Sequence, residues 1–493
     1  MSNEQSAMNE FAARLHSGYN PQAEARRYID ALKIDNDINC FILVEPGMGY
    51  MVPVLRDKCP DCKIIVLHAD VRFRELSGVF QGDAVWYADS EAGVQEFLEA
   101  EVPAAARTRI VEWRPGLNVY GDKVLGLVRE SAEFIKRMEA GRRTDAFFGR
   151  RWVRNFFRNL ALFQNTLMYR KMDIPVVITG SGPSLEAVLP KILAARESVF
   201  ILAASSSLQA LAAGGITPDM VISTDGGGWA LTHLYSFFRR LGSKRGILAL
   251  SLCAAVPSQC SGVPLLPMND GSLWQGIALH AIGFPSVLIP QRGTVTASAL
   301  DLALELSGGN IFLAGMDLSV CDIRSHARPN GFDHLLFGAA TRLRPVYTQY
   351  FIRSGGIKSG GSLDVYAAWF KSRLGSFPKR VFSLGGNHEV FDELARENSF
   401  GGNGNSRVSG RNHFEPVKQA DIPEGRARRA VEAIIAALGE SKYASALRGE
   451  LSPLLFPSQT DVPADEITGV LREIAGRYCE SKRKVSNSDS HLF

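Results

Sequence analysis

The chain has 493 residues, of which 46% are hydrophobic and 22% are charged, and its formal net charge at pH 7 is +4. That length predicts about two to four domains, and the composition is typical of a soluble globular protein. The near balance of charge gives no support to a general role in binding nucleic acid or a membrane surface. We therefore expect neither among the partners.

The sequence shows no export or membrane signal. No stretch of about 18 uninterrupted apolar residues occurs, because serines interrupt the best candidate at 199–211. The N-terminus is polar, and the seven cysteines are scattered, which favours a reducing compartment. We expect a cytoplasmic protein without membrane insertion. Cys59 and Cys62 form a C-x-x-C without the second pair that zinc requires, so two ordinary thiols and no metal site are expected.

The first unit, residues 1–120, is predicted to be a small Rossmann-like α/β domain. Apolar runs at 40–50 and 63–70 alternate with helical patterns, which predicts a parallel sheet covered by helices. Gly47, Gly49 and Asp70 loosely resemble a dinucleotide or methyl-donor pattern, but the third glycine is missing. An inert or acceptor-recognising domain is therefore favoured over cofactor binding, and no cofactor is expected to be required.

Residues 121–170 lack strand signals and are predicted to form a helical linker. Arg151, Arg154 and Arg158 follow spacings of three and four, so they share one helix face. The favoured interpretation is a solvated arginine face opposite an aromatic core face. A surface for an anionic ligand or an acidic partner is the alternative.

Residues 171–398 are predicted to form a larger Rossmann-like domain with strands near 176–179, 199–203, 220–224, 246–252, 286–289, 310–314 and 380–383. Residues 399–493 are predicted to comprise a loop at 399–416, helices without strands at 424–478, and a polar tail. The fold class is therefore α/β, with two Rossmann-like parallel-sheet units and a C-terminal helical appendage.

Four loops follow predicted strands of the larger domain. Ligands of open parallel sheets bind beyond the carboxyl ends of the strands, so these loops form the expected ligand edge. The candidate donor-binding residues on them are Gly180, Ser181, Gly182, Pro183, Ser184, Asp225, Gly226, Thr294, Gly315, Asp317 and Ser319.

The loop Gly-Ser-Gly-Pro-Ser-Leu at 180–185 has the chemistry of an anion site. Its glycines permit close backbone approach, and the helix that follows presents unpaired N–H groups and a partial positive charge to a phosphate. It lacks the Lys-Ser/Thr pair of a P-loop, and a tight packing turn is the alternative. Asp225 and Asp317 end strands, where acids bind ribose, sugar or metal, or else cap helices.

His326 is the first candidate for a general acid or base, because it lies just beyond a ligand-edge loop and titrates near neutral pH. His388, in the sequence GGNHE, is a second candidate. His233 and His334 are weaker ones.

Four segments in order carry a family resemblance: VVITGSGPSLE, GGITPDMVISTDGG, IFLAGMDLSV with a downstream Ser-His-Ala, and GGNHEVF. Together they resemble the motility accessory factor (Maf) family of flagellin glycosyltransferases. GMGY followed by VLHAD resembles the first domain of that family. The resemblance spans roughly residues 35–395.

The resemblance implies a cytoplasmic enzyme that moves a nonulosonic acid, pseudaminic or legionaminic acid, from a CMP donor to Ser or Thr of flagellin. The central domain is similar to bacterial sialyltransferases whose Gly-Asn-Gly-Pro-Ser-Leu motif contacts CMP. Carried over by position, residues 180–184 would hold CMP, with Ser181 where those enzymes have Asn. Their catalytic base is a histidine, which we place at His326, with Asp225 as its catalytic partner in orienting the substrate.

The hypothesised mechanism neutralises the phosphate with N–H groups at 182–184 and needs no metal. Two alternatives remain. The central domain also resembles an archaeal 6-hydroxymethylpterin diphosphokinase, which transfers diphosphate from ATP. A non-catalytic flagellin-binding motility factor is the other.

Overall fold

The computed structural model describes residues 14–35, 38–76, 78–103, 106–241, 246–360, 362–395, 400, 410–417, 423–459 and 462–479. The predicted polar tail and most of the predicted loop at 399–416 lie outside these residues. Two units divide the chain: residues 1–147 with 456–460, and residues 148–455 with 461–493. This division falls within a helix, and the domain boundaries at 120, 170 and 398 stay predictions.

The first unit is an α/β layer structure around a four-stranded parallel sheet in the order β3-β2-β1-β4. Its elements are α1 (Pro21–Ala31), β1 (Cys40–Val44), α2 (Met51–Lys58), β2 (Lys63–His68), β3 (Ala84–Tyr87), α3 (Val94–Glu101), β4 (Thr108–Glu112), α4 (Arg114–Tyr120) and the start of α5 (Asp122–Leu162). Parallel neighbours require crossover connections, which the helices supply.

Alternate residues of β1 enter two different cores. Ile42 and Val44 pack in the cluster on one face of the sheet, and Phe41 and Leu43 pack in the cluster on the other. Successive side chains of a strand point to opposite faces, so a run of apolar residues buries both faces. The predicted α/β architecture of this unit is confirmed.

The second unit contains an eight-stranded parallel sheet in the order β11-β10-β9-β8-β7-β6-β12-β13. Its elements are the end of α5, β5 (Leu167–Tyr169), β6 (Val176–Thr179), α6 (Leu185–Ala194), β7 (Phe200–Ala204), α7 (Leu208–Ala213), β8 (Met220–Ser223), α8 (Ala230–Leu241), β9 (Ile247–Ser251), β10 (Leu265–Asn269), α9 (Leu273–Ala281), β11 (Val287–Leu288), α10 (Val295–Leu306), β12 (Ile311–Ala314), α11 (Asp333–Gly338), α12 (Val346–Gly360), α13 (Ser362–Arg373), β13 (Val381–Ser383), β14 (Phe414–Pro416), α14 (Pro423–Leu438), α15 (Ser441–Leu455) and α16 (Ala464–Gly476).

The strand order of the second unit reverses between β6 and β12. From β6 the chain adds strands successively toward β11, and then returns to place β12 and β13 on the other side of β6. The carboxyl ends of β6 and β12 therefore flank the topological switch point of this sheet. In open α/β sheets, ligands bind in the crevice outside the strand ends at such a switch point.

Three strands of the second unit were not predicted. β10 contains Pro267, a residue that argues against a strand, yet Pro267 pairs with Leu250 of β9. β5 and β14 pair antiparallel, so the prediction that 121–170 and 399–416 contain no strand is wrong. Each of these two strands has three residues, too few to show a period.

The C-terminal helices are confirmed as helices, and they belong to the second unit. α14 and α15 pack against α9, and the carboxylate of Glu450 accepts hydrogen bonds from the N–H groups of Leu273 (2.9 Å) and Trp274 (3.1 Å). A carboxylate at these positions satisfies the first N–H groups of α9 and complements its dipole. This part of the chain therefore stabilises the central sheet unit.

The arginine face predicted on α5 is not simply solvated. Arg158 is half-buried and its Nη1 donates to Val256 O at 2.7 Å, while Asn155 donates to Cys253 O at 3.0 Å and Asn159 to Leu252 O at 2.9 Å. These bonds hold the loop after β9, so this part of the helix has a structural role.

Two further findings concern the expectations from composition. Cys59 and Cys62 form a disulfide, where the sequence led us to expect two ordinary thiols, because the chain turn after α2 brings their Cα atoms to 5.4 Å. None of the helices in the described ranges is both long and apolar enough to cross a bilayer.

Candidate functional site

The loops after β6 and β12 are joined backbone to backbone. The N–H of Gly180 donates to Ala314 O at 2.8 Å, and the N–H of Gly182 donates to Gly315 O at 2.9 Å. A Cβ atom placed on Gly180 would lie 2.4 Å from Gly315 O, and Gly315 itself has a φ of +67°. Glycine is required here because the two backbones approach more closely than any side chain allows.

Asp317 links the same two loops through its side chain. Its Oδ1 accepts the N–H of Ser184 at 2.9 Å, and its Oδ2 accepts the Ser184 hydroxyl at 2.6 Å. Asp317 is buried, and burial raises the pKa of its carboxyl although the Ser184 hydrogen bonds oppose the rise. Asp317 therefore caps the start of α6, which is not the helix that follows it in sequence, and is not an acid open to a ligand.

These bonds correct the hypothesised role of the backbone N–H groups at 182–184. Those of Gly182 and Ser184 are already occupied by Gly315 O and Asp317, and Pro183 has none. Within the described residues, the N–H and hydroxyl of half-buried Ser181 make no hydrogen bond. Ser181 is therefore the residue of this loop that can still donate to an anion.

A third loop, which follows β13, is hydrogen-bonded to β12 and to the loop after β12. Asn387 accepts the N–H of Met316 at 2.8 Å and donates to Leu313 O at 3.0 Å. Next to it, Nδ1 of His388 accepts the N–H of Val390 at 3.1 Å. This bond makes His388 a local cap, which accounts for its place in the sequence without a catalytic role.

The segment that carries His326 is fixed beside the loop at 180–185. The N–H of Ala327 donates to Ser181 O at 2.7 Å, and the Glu186 carboxylate accepts Arg324 Nη1 at 2.9 Å and the N–H of Arg328 at 2.8 Å. These contacts bring His326, one residue before Ala327, next to the switch point. Its predicted position near the ligand edge agrees with this placement.

His326 lies in a basic and aromatic surrounding. Its Nδ1 is 2.8 Å from Ser325 Oγ, and its ring stacks at 6.5 Å on that of His233. Burial lowers the pKa of His326 to about 4, and the positive charge of Arg353 adds to this effect. Burial likewise lowers the pKa of His233 to about 4. Both imidazoles are therefore neutral at pH 7 and able to accept a proton.

Asp225 follows β8 at the same carboxyl edge of the sheet and is exposed. Its Oδ1 accepts the N–H of Gly227 at 2.7 Å, which shapes the glycine loop. Gly226 is buried against Trp152, since a Cβ there would lie 2.3 Å from Trp152 Cδ1. The carboxylate of Asp225 keeps free acceptor capacity because an ionised carboxylate has about four acceptor positions.

Tyr366 of α13 was not predicted as a site residue. Burial raises the pKa of its phenol, and the negative charge of Asp225 raises it further. Its ring is also 3.6 Å from where a Cβ of Gly293 would stand. Tyr366 thus packs beside the loop of Gly293, but a lone tyrosine on a distant helix gives no sequence signal.

The remaining predicted site residues are Thr294 and Ser319. Thr294 precedes α10, with Oγ1 at 3.1 Å from Thr296 Oγ1, and Ser319 is exposed. In the part of the chain that the structure describes, no side-chain hydrogen bond joins Asp225 or Thr294 to the cluster around Asp317. The structure brings together Gly180, Ser181, Gly182, Pro183, Ser184, Gly315 and Asp317, with His326 beside them.

Among the described residues, no three His, Cys, Asp or Glu side chains converge as metal ligands would.

Comparison with known proteins finds a similarity in the second unit. Residues 150–322 match the family model described as 6-hydroxymethylpterin diphosphokinase MptE-like. Two proteins of Treponema pallidum (strain Nichols), each named as uncharacterized, are 28% identical to this chain, over 299 and 227 residues. The matches cover 60% and 43% of this chain and 63% and 38% of those proteins, so the chain spans less than two thirds of either relative.

Among solved structures, the chain is similar to the Maf glycosyltransferase from Magnetospirillum magneticum AMB-1, with 14% identity, a TM-score of 0.49, and coverage of 96% of this chain and 82% of that one. The segment that matches the family model, 150–322, contains the loops after β6 and β8 and the start of the loop after β12, and it ends before His326. The prediction that the central domain resembles the MptE-like family is therefore confirmed.

Proposed function

We propose that this chain is a glycosyltransferase that moves a nonulosonic acid from a CMP donor to Ser or Thr hydroxyls of flagellin in the cytoplasm. The observation that carries the proposal is the joined pair of loops after β6 and β12, with the His326 segment bonded to Ser181 O at 2.7 Å. The crevice expected at a switch point, with a neutral histidine beside it, is suited to a nucleotide-linked substrate. The resemblance of GSGPSL and its companion motifs to the Maf family supplies the substrate class.

The donor lies across this crevice in the proposal. Ser181 donates its N–H and hydroxyl to the phosphate, replacing the Gly182 and Ser184 N–H groups that are already bonded. The dipole of α6 adds favourable potential for the anion, although Asp317 offsets part of it. The exposed carboxylate of Asp225 orients sugar or ribose hydroxyls.

In the transfer step, the acceptor hydroxyl oxygen bonds to the anomeric carbon of the sugar. The bond from that carbon to the phosphate oxygen breaks, and CMP leaves with the electron pair. His326 Nε2 takes the hydroxyl proton, while Nδ1–H donates to Ser325 Oγ and so fixes the tautomer. This balance requires no metal and no cofactor beyond the activated sugar.

The match of residues 150–322 favours a second candidate, because that family is described by a diphosphokinase activity. In this case the same crevice would hold ATP, and a hydroxymethylpterin hydroxyl would attack its β-phosphorus and release AMP. That reaction separates the candidates, since it needs ATP and a divalent cation, whereas the sugar transfer uses CMP.

The test is the intact mass of flagellin co-expressed with this protein in a host that makes a CMP-nonulosonate. We expect increments of whole nonulosonate units, lost with Asp225→Ala and reduced about 10²–10⁴-fold in rate with His326→Asn. Glu393→Ala, an exposed carboxylate in the same unit, is the matched control and should retain full modification.

Unmodified flagellin with wild-type protein would contradict the proposal. AMP formation from ATP and a hydroxymethylpterin would then support the diphosphokinase. Co-purification with flagellin without any mass change would indicate a binding factor.

A further inference from the structure

A narrow cleft lies between the His326 segment and α12. Its lining includes Ser325, His326, Asn330, Phe332, Tyr350 and Arg353. Phe332 is one of the lining residues, and the ring centres of His233 and His326 lie 4.8 Å and 6.2 Å from that of Phe332, in edge-on contacts. Of these residues, only His326 belongs to the predicted site.

Arg353 is a half-buried cation without an anionic partner. Its guanidinium lies 4.1 Å from the centre of the Phe332 ring, and burial lowers its pKa. In the described ranges, no carboxylate lies within ion-pair distance of it. The nearby acid is Asp333, whose oxygens are taken by the Tyr350 hydroxyl and by the N–H of Asn330 at 2.9 Å.

His233 adds a second unsatisfied group. Its side chain belongs to a residue that is 8% exposed, and its Nδ1 has no hydrogen-bond partner among the described residues. Buried polar atoms are normally hydrogen-bonded, and a buried cation is normally paired. Around Phe332, the described residues thus place Arg353 and two imidazoles, and the acid near them, Asp333, is hydrogen-bonded to Asn330 and Tyr350 and makes no ion pair with Arg353.

We infer that this cleft is an anion subsite, in which Arg353 pairs with a carboxylate or phosphate group and the imidazole of His326 lines the bound anion, with the ring of His233 stacked at 6.5 Å on that of His326. The existence of the subsite follows from this geometry, and its assignment to the sugar donor rests on the proposed function. A guanidinium and an anion form hydrogen bonds about twice as strong as neutral ones, and an aromatic wall strengthens them by excluding water.

An anion in this cleft also changes His326. A negative charge within about 4–6 Å favours the protonated imidazole and raises its pKa. Burial and the positive charge of Arg353 lower the pKa of His326 to about 4, which is low for a base working near neutral pH. The bound anion would therefore make His326 a stronger base only while the ligand is in place.

The test uses the full chain with ¹³C-labelled histidine Cε1, followed by NMR at pH 6. Free N-acetylneuraminate supplies a carboxylate without phosphate, CMP supplies a phosphate without the sugar, and inorganic phosphate supplies the anion alone. His326→Asn and His233→Asn assign the two resonances. We expect a saturable shift of both resonances toward the protonated form with at least one probe.

Arg353→Gln should weaken that response roughly tenfold or more, Arg353→Lys should weaken it less, and exposed Arg344→Gln should leave it unchanged. A shift with N-acetylneuraminate assigns the cleft to the sugar carboxylate, and a shift with CMP assigns it to the phosphate. If no probe shifts either histidine, or if a folded Arg353→Gln variant responds like the wild type, the inference is wrong. An anion response without flagellin modification would reject the transferase and keep the subsite.

Discussion

The two parallel sheets of this chain have the same kind of switch point but use it differently. In the first unit the switch point lies between β1 and β4, and Glu45 directly follows β1. Glu45 is fully buried with a φ of +46°, and it bonds to His68 Nδ1 (3.2 Å) and to the N–H of Ala69 (2.6 Å). Its carboxylate is thereby used within the protein.

Gly47 and Gly49 of the first unit are likewise closely approached by other residues of that unit. A Cβ on Gly47 would lie 2.4 Å from the His16 ring, and one on Gly49 would lie 2.1 Å from Phe80 O. The N–H of Met48, which a phosphate would need, donates to His16 Nε2 at 2.9 Å. The Gly-x-Gly turn is therefore closed by protein atoms.

The loops of the second unit approach each other just as closely, yet they leave hydrogen-bond donors and acceptors unbonded. Gly180, Gly182 and Gly315 are buried, but Ser181 is half-buried and Asp225 is exposed. Topology alone thus identifies a possible ligand edge in both units, and the unbonded polar groups separate the two. The Asp317–Ser184 clamp distinguishes the second unit by fixing the loops without filling the crevice.

The largest expected effect is on that clamp. A Cβ on Gly182 would lie 1.9 Å from Asp317 Oδ2, so Gly182→Ala must displace Asp317 or separate the two loops. We expect a loss of about 3 kcal/mol in the free energy of unfolding, measured by urea denaturation, together with weakened CMP binding. Gly228→Ala, where a Cβ meets nothing within 4 Å, is the control and should change stability by less than about 0.5 kcal/mol. Equal stability of the two variants would show that the clamp is not rigid.

The sequence predicted the part of this site that is local. Apolar runs such as Val176–Thr179 located most strands, and the glycine turn after it was recognised from adjacent residues. Asp317 and Ser184 are 133 residues apart, so no spacing could indicate their bond. Pro267 concealed β10, and Arg353 belongs to a helix without a motif. What could not be predicted are the pairings made by tertiary packing.

The second expected effect is smaller and distinguishes the first unit from the second. Gly49 has a φ of +72° and closely approaches Phe80 O, so Gly49→Ala strains the first unit by both backbone conformation and contact. We expect a loss of about 2 kcal/mol in unfolding free energy, with CMP affinity unchanged in isothermal titration calorimetry. The comparison predicts this division because the proposed nucleotide contacts lie in the second unit. Loss of CMP binding by a folded Gly49→Ala protein would place a nucleotide contact in the first unit.

The third and smallest expected effect concerns the free energy of unfolding that is lost when the buried carboxyl of Asp317 ionises. Because burial raises its pKa in the folded protein above the ordinary value of 3.8, the folded carboxyl holds its proton more tightly than the unfolded one. Its contribution to stability is thus fully present below the unfolded pKa and is lost as pH rises through the folded pKa.

Asp317→Asn does not titrate, and its amide can accept the Ser184 N–H and donate to the Ser184 hydroxyl. We expect the two proteins to differ by less than about 1 kcal/mol at pH 7, with the wild type gaining relative to the variant as pH is lowered toward 4 in urea denaturation. A difference that is independent of pH, or that grows in the opposite direction, would mean that the Ser184 bonds outweigh burial and that the clamp is held by a fully stabilised carboxylate.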